Sequence, residues 1–138
     1  MPSLVKEFLG QKNFAVVGSF REKTRYAYLI LKDLLARGYE VYPVNPNLDE
    51  VEGRPCYKRI SDIPFRIDVV DLVTPPPVTE ILLEECRQLG IRRVWLQPGA
   101  ESEKAIEFCH QNGIKVIHGL CVMLEAGNKK EDLPPPQF

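Results

Sequence analysis

The chain predicts an α/β fold built on an open, parallel, five-stranded sheet with helices on both faces. Three stretches that share one plan carry this. Residues 34–41 end a helix at Gly38 and start a strand, residues 86–94 do so at Gly90, and residues 108–116 at Gly113. Glycine can take the left-handed conformation that closes a helix, and a strand-forming residue follows directly each time. Residues 67–73 supply Val69, Val70, Leu72 and Val73 almost without interruption, as a mostly buried parallel strand requires, broken by Asp68 and Asp71. The segments between the three stretches differ in length and character, which fits alternating strands and helices rather than a solenoid. Such units join by right-handed crossovers, and the expected strand order is 3-2-1-4-5.

The elements follow in order. Residues 4–9 form a short lead-in helix, and Phe14-Ala15-Val16-Val17 is an apolar first strand running into Gly18-Ser19-Phe20. A helix over residues 24–37 carries Ala27, Ile30, Leu31, Leu34 and Leu35 at helical spacing, a stripe that lies on the sheet. The second strand ends in Pro43-Val44-Asn45-Pro46. Residues 47–64 are a long connection, with Asp62-Ile63-Pro64 closing a short helix. After the third strand, Thr74-Pro75-Pro76-Pro77 must leave the sheet, because consecutive prolines cannot continue a ladder. Pro77 or its neighbours start the next helix, with Ile81, Leu82, Cys86 and Leu89 inward. Val94-Trp95-Leu96 is the fourth strand, Ser102 caps the fourth helix, and Val116-Ile117 is the fifth strand.

At 138 residues the chain fits one domain, expected over residues 1–132, with a proline-rich tail at 133–138 that is extended or disordered. A net charge of −1 provides no general field for nucleic acid or an anionic membrane. No apolar run approaches the ~20 residues of a membrane span, and the N-terminus lacks a signal-peptide pattern, so a cytoplasmic protein is expected. Cys56, Cys86, Cys109 and Cys121 are widely spaced, without the pairs of a zinc site or a disulfide scaffold, and read as small core residues.

Strand, glycine turn, helix and strand is the order in which a Rossmann-like unit offers backbone N–H groups and a helix N-terminus to phosphate. In such a fold ligands lie at the C-terminal ends of the strands. The candidate loops are therefore residues 18–25, 45–48, 74–78, 97–101 and 118–123. Arg21, Lys23 and Arg25 beside a helix N-terminus favour an anion, although a solvated basic loop accounts for the same charges. The second strand ends without the acid that grips a ribose hydroxyl in NAD enzymes, which argues against an ordinary NAD site. Asn45-Pro46 offers an amide and a rigid turn where a ribose or base edge would lie. Thr74-Pro75-Pro76-Pro77-Val78 offers a flat apolar edge, or simply a helix start. His118 and Cys121 could set a base beside a thiol, but with no third partner ordinary packing accounts for them first. No other acid–base pair stands out, and no metal site is expected.

Taken together, these loops resemble the small stand-alone proteins of the CoA-binding domain family, the YccU-like branch. They are also similar to the CoA-binding half of the succinyl-CoA synthetase alpha subunit. The resemblance runs from about residue 14 to 125, through Ala15-Val16-Val17-Gly18-Ser19, the string from Gly38 to Pro46, Gly53-Arg54-Pro55-Cys56-Tyr57 with Asp62-Ile63-Pro64, and Val94-Trp95-Leu96-Gln97-Pro98-Gly99. Two departures are Phe20, where the family has a small residue, and Leu120-Cys121, where it has Arg-Cys. The resemblance implies non-catalytic binding of coenzyme A or an acyl-CoA. The backbone at Gly18, Ser19 and Phe20 would hold the pyrophosphate, Arg21, Lys23 and Arg25 would contact phosphate, and Asn45, Pro46, Thr74, Pro75, Pro76 and Val78 would line the adenosine. The pantetheine arm would cross toward Gln97 or project into solvent. The alternative is a nucleotide-dependent oxidoreductase or an acyl-CoA ligase partner of the same fold. A homo-oligomer or a protein partner stays open.

Overall fold

The strands of this protein alternate their side chains between two apolar cores, one on each face of a single parallel sheet. The computed structural model describes residues 2–21 and 25–127. Its elements are α1 (Pro2–Leu9), β1 (Asn13–Val17), α2 (Tyr26–Ala36), β2 (Glu40–Val44), β3 (Glu50–Val51), β4 (Arg54–Pro55) and a 3-10 turn at Ile60–Asp62. They continue with β5 (Val69–Leu72), α3 (Pro76–Gln88), β6 (Arg93–Leu96), α4 (Glu103–Gln111), β7 (Lys115–Ile117) and α5 (Val122–Glu125). The expected tail at 133–138 and Lys23 lie outside the described residues.

Phe14, Val16, Val69, Val73 and Trp95 meet Phe8 of α1, the apolar stripe of α2, and Val122 and Met123 of α5. Ala15, Val17, Val70, Leu72, Val94 and Leu96 meet Leu83 and Cys86 of α3 and Ala105 and Cys109 of α4. Helices thus cover both faces, as expected for a Rossmann-like α/β fold. Gly38, Gly90 and Gly113 all take positive φ at the ends of their helices. Ser102 accepts a hydrogen bond from the Ala105 amide at 3.0 Å and caps α4. All four cysteines are buried and unpaired with one another.

The five parallel strands run β2-β1-β5-β6-β7. In chain order this is 2-1-3-4-5, which corrects the expectation that residues 67–73 form the outer strand of a 3-2-1-4-5 sheet. The physical reason lies in the strand itself. Val69, Val70, Asp71 and Leu72 are all fully buried, so β5 belongs in the middle, between β1 and β6. The outer place beside β2 goes instead to a one-residue parallel bridge between Val44 and Tyr57. There the Tyr57 amide donates to the Pro43 carbonyl at 3.0 Å, and the Asn45 amide donates to the Tyr57 carbonyl at 2.9 Å. Counted as a third strand, that segment restores the 3-2-1-4-5 pattern across β2, β1, β5 and β6.

The inward face of α3 also differs from expectation. Ile81 and Leu89 are 73% and 43% exposed, and Thr79, Leu83 and Cys86 point inward. The buried Thr74 and Thr79 hydroxyls pair at 2.7 Å, and the Thr79 hydroxyl also donates to the Thr74 carbonyl at 3.3 Å. This anchor fixes the rotation of the helix and turns Ile81 toward solvent. Among the described residues no helix is long and apolar enough to cross a membrane. Among the same residues, no group of three His, Cys, Asp or Glu side chains is placed to hold a metal ion.

Candidate functional site

The C-terminal ends of β1, β2 and β5 converge, and close packing sets their spacing. Gly18 ends β1 where no side chain fits. A Cβ there would lie 2.7 Å from the Ala27 Cβ of α2 and 3.0 Å from the Val73 carbonyl oxygen. The glycine is thus what lets α2 approach the sheet, and with it the helix N-terminus that can face an anion. Gly18→Ala is expected to lower stability by about 1–3 kcal/mol, the range for overpacking a tight contact, as read from urea unfolding.

Asn45, at the end of β2, fastens the neighbouring turns. Its Nδ2 donates to the Gly18 carbonyl at 2.7 Å, and its Oδ1 accepts from the Asn47 amide at 2.8 Å. One amide side chain therefore holds the β1 turn to the β2 turn and shapes the latter. On the other side, α3 starts directly after Thr74, with Pro75 as its cap residue and proline in its first turn.

Between these turns opens a cavity of about 590 Å³. Of the residues expected at a ligand site, Gly18, Ser19, Asn45, Pro46, Thr74, Pro75 and Val78 come together around it. The exposed side chains of Val78 and Ile81 give it an apolar wall on α3. Two cations that sequence reasoning missed, Lys58 and Arg59, stand at its other side. No local signal marks them: they reach the cavity only because Tyr57 pairs with Val44 and brings the chain back beside β2.

The remaining expected residues are placed differently. Phe20 is buried in the core beneath α2 and α5. Arg21 is exposed just before α2, and Arg25 is the residue at its N-cap. Pro76 is the first residue of α3. The Gln97 side chain is fully buried, donating from Nε2 to Asp71 Oδ1 at 2.6 Å and accepting the Val122 amide on Oε1 at 3.2 Å. It ties the start of α5 to the central strand from below.

Asp71 is the most perturbed acid here. Burial raises its pKa to about 7, with the Gln97 hydrogen bond opposing, and its Oδ2 has no hydrogen-bond partner. On the same face, the Tyr26 hydroxyl donates to the Cys121 sulfur at 2.6 Å. Cys121 is 5% exposed, and burial pushes its thiol upward, so the sulfur is a packed acceptor and not a thiolate. A second cavity, of about 410 Å³, opens at the opposite end of the sheet beside Phe65, Asp68 and Leu89. Helices that follow parallel strands turn their negative ends that way, so anionic ligands are favoured at the first cavity.

The family described as CoA binding domain matches residues 12–127. The chain belongs to this family. YneT of Bacillus subtilis (strain 168), an uncharacterized protein, is 30% identical over 119 residues, 86% of this chain and 88% of YneT. A conserved hypothetical protein from Pyrococcus furiosus superposes with a TM-score of 0.80 at 41% identity, over 83% of this chain and 99% of its own. The family also reaches into enzymes. The alpha subunit of ADP-forming acetate–CoA ligase II from Pyrococcus furiosus is 29% identical over 126 residues. That match takes in 83% of this chain but 28% of the ligase subunit. The chain is thus homologous to one part of such a ligase, and it shares most of its length with small family members such as YneT.

Proposed function

We propose that this protein binds coenzyme A or an acyl-CoA in the cavity at the ends of β1, β2 and β5, without a reaction of its own. The observation that carries this is the Gly18 turn packed against α2 beside an apolar cavity, in a member of the CoA-binding domain family. The backbone of Gly18 and Ser19 would hold the pyrophosphate at the leading end of α2, with Arg21, Lys23 and Arg25 adding charge. The adenosine would lie between Asn45-Pro46 and Thr74-Pro75-Val78, with Val78 and Ile81 against the base. Gln97 would act from beneath, by holding the last loop, and not by touching the ligand. A second reading, that the chain is the CoA-holding part of a ligase completed by other chains, is favoured by the ligase subunit it matches in part.

Calorimetric titration with CoA, acetyl-CoA, ATP and NAD tests the proposal. Saturable sub-millimolar binding of CoA or acetyl-CoA at low salt is the expected result. Heat with NAD and none with CoA would overturn it.

A further inference from the structure

We infer that Lys58 and Arg59 read a phosphate on the adenosine ribose, the 3′-phosphate of CoA, and so set this protein's preference for that nucleotide. This rests on the CoA reading above. The register makes the argument. Because Val44 and Tyr57 pair in parallel, the next residues along each segment run side by side, and Lys58-Arg59 leave the sheet beside Asn45-Pro46. The end of the second strand is where a Rossmann-like fold meets the adenosine ribose. An acid there selects free hydroxyls, and a cation accommodates a ribose phosphate. Here β2 is followed by Asn45, whose side-chain amide is occupied by the Gly18 carbonyl and the Asn47 amide, and the residues that line the cavity include two cations.

Their present partners are weak ones. Lys58 Nζ lies 3.0 Å from Asp49 Oδ1 and 3.5 Å from the Pro46 carbonyl oxygen, and Arg59 Nε lies 3.6 Å from Glu85 Oε2. The Lys58 and Arg59 side chains are 55% and 70% exposed. The Lys58–Asp49 pair is exposed on both sides and exchanges readily for a doubly charged phosphate, while Arg59, with five N–H donors and one long contact to the less exposed Glu85, can face that carboxylate and the phosphate together. Two carboxylates also line the cavity and must be neutralised for an anion to enter. Glu85 already accepts the Ser61 amide and faces Arg59, and Glu84 is held by Arg87 and Gln88. Arg21, by contrast, is exposed in the segment that leads from Ser19 to α2, on the side of the pyrophosphate in this reading. The two basic groups thus divide the ligand: α2 and its arginines take the pyrophosphate, and the segment after β4 takes the ribose phosphate.

The test compares CoA with 3′-dephospho-CoA, and NADP with NAD, on the intact chain, its Lys58→Ala/Arg59→Ala variant and Arg21→Ala. Circular dichroism confirms that each variant is folded. The wild-type chain is expected to prefer CoA over 3′-dephospho-CoA by about 10- to 100-fold, the range for charge-assisted hydrogen bonds. The double variant should lose that preference and keep its affinity for 3′-dephospho-CoA, whereas Arg21→Ala should weaken both ligands alike. A double variant that still discriminates as the wild type does would overturn the assignment. If the wild-type chain prefers NADP over NAD through the same two residues but binds no CoA, the phosphate reader stands and the CoA reading falls. If CoA binds but is not preferred over 3′-dephospho-CoA, the phosphate reader falls and the CoA reading stands; if neither CoA nor NADP binds, both fall.

Discussion

Trp95→Ala should lower the unfolding free energy by about 3–5 kcal/mol, the range for removing a buried tryptophan. Trp95 is fully buried on β6, edge-on to Phe8 of α1, with ring centroids 6.0 Å apart. Its indole Nε1 also donates to the Leu120 carbonyl at 2.8 Å, so truncation opens a cavity and strands a carbonyl in the loop before α5. Trp95→Phe keeps one aromatic ring in the core and loses the N–H together with the rest of the indole. Its smaller loss sets an upper bound on the part that belongs to the hydrogen bond. The chain has a single tryptophan, so unfolding is followed by circular dichroism, with an unchanged denaturant slope marking a pure stability effect.

Stability should fall as pH rises from about 4 to about 7, through Asp71. Its carboxyl is raised to about 7 by burial in the folded chain, from the ordinary aspartate value of 3.8. The folded state therefore holds a proton that the unfolded state has already released, so this contribution is complete below the unfolded pKa. It is lost progressively as pH climbs to the folded one, with a slope on the order of 1 kcal/mol per pH unit. Other groups tilt the measured curve the opposite way. Glu7, for example, is held low by Lys115 and Arg93. The difference between wild type and Asp71→Asn isolates the effect. The variant should show a flatter profile over this window and gain on the wild type at pH 8. Parallel profiles for the two proteins would show that Asp71 stays ionised.

Much of this architecture was legible in the chain because it is written locally. Gly38, Gly90 and Gly113 close helices by a conformational preference that needs no tertiary context, and the strands beside them announce themselves by composition. Gly18 was legible as a turn, although the contact it makes with Ala27 and Val73 was not, since its neighbours come from two other elements. The exposed face of α3 was misread because its apolar residues cover more than one side, and a buried threonine pair decided the rotation. Position in the sheet was misread for the same kind of reason. Nothing inside residues 67–73 says which strands flank them, and nothing in residues 54–59 says that one residue will pair with Val44. Lys58 and Arg59 were therefore invisible as site residues, whereas Arg21 and Arg25 stood beside a recognisable glycine turn. Gln97 was placed in the right loop, but its side chain answers to the buried Asp71.

The single pairing at Tyr57 also bears on how this molecule avoids its own copies. A residue in a strand directs its N–H and C=O to the same side, and the Pro43 carbonyl points outward to Tyr57. The proline nitrogen, which has no hydrogen to give, thus faces the rim of the sheet and removes no bond to β1. Phe65 stacks on Tyr42 alongside, with ring centroids 5.3 Å apart. An intruding strand would find one donor absent, one stretch already occupied and an aromatic pair beside the rest. The rim of β2 is blunted against intermolecular strand addition, which keeps this edge of the sheet from becoming a seam for aggregation.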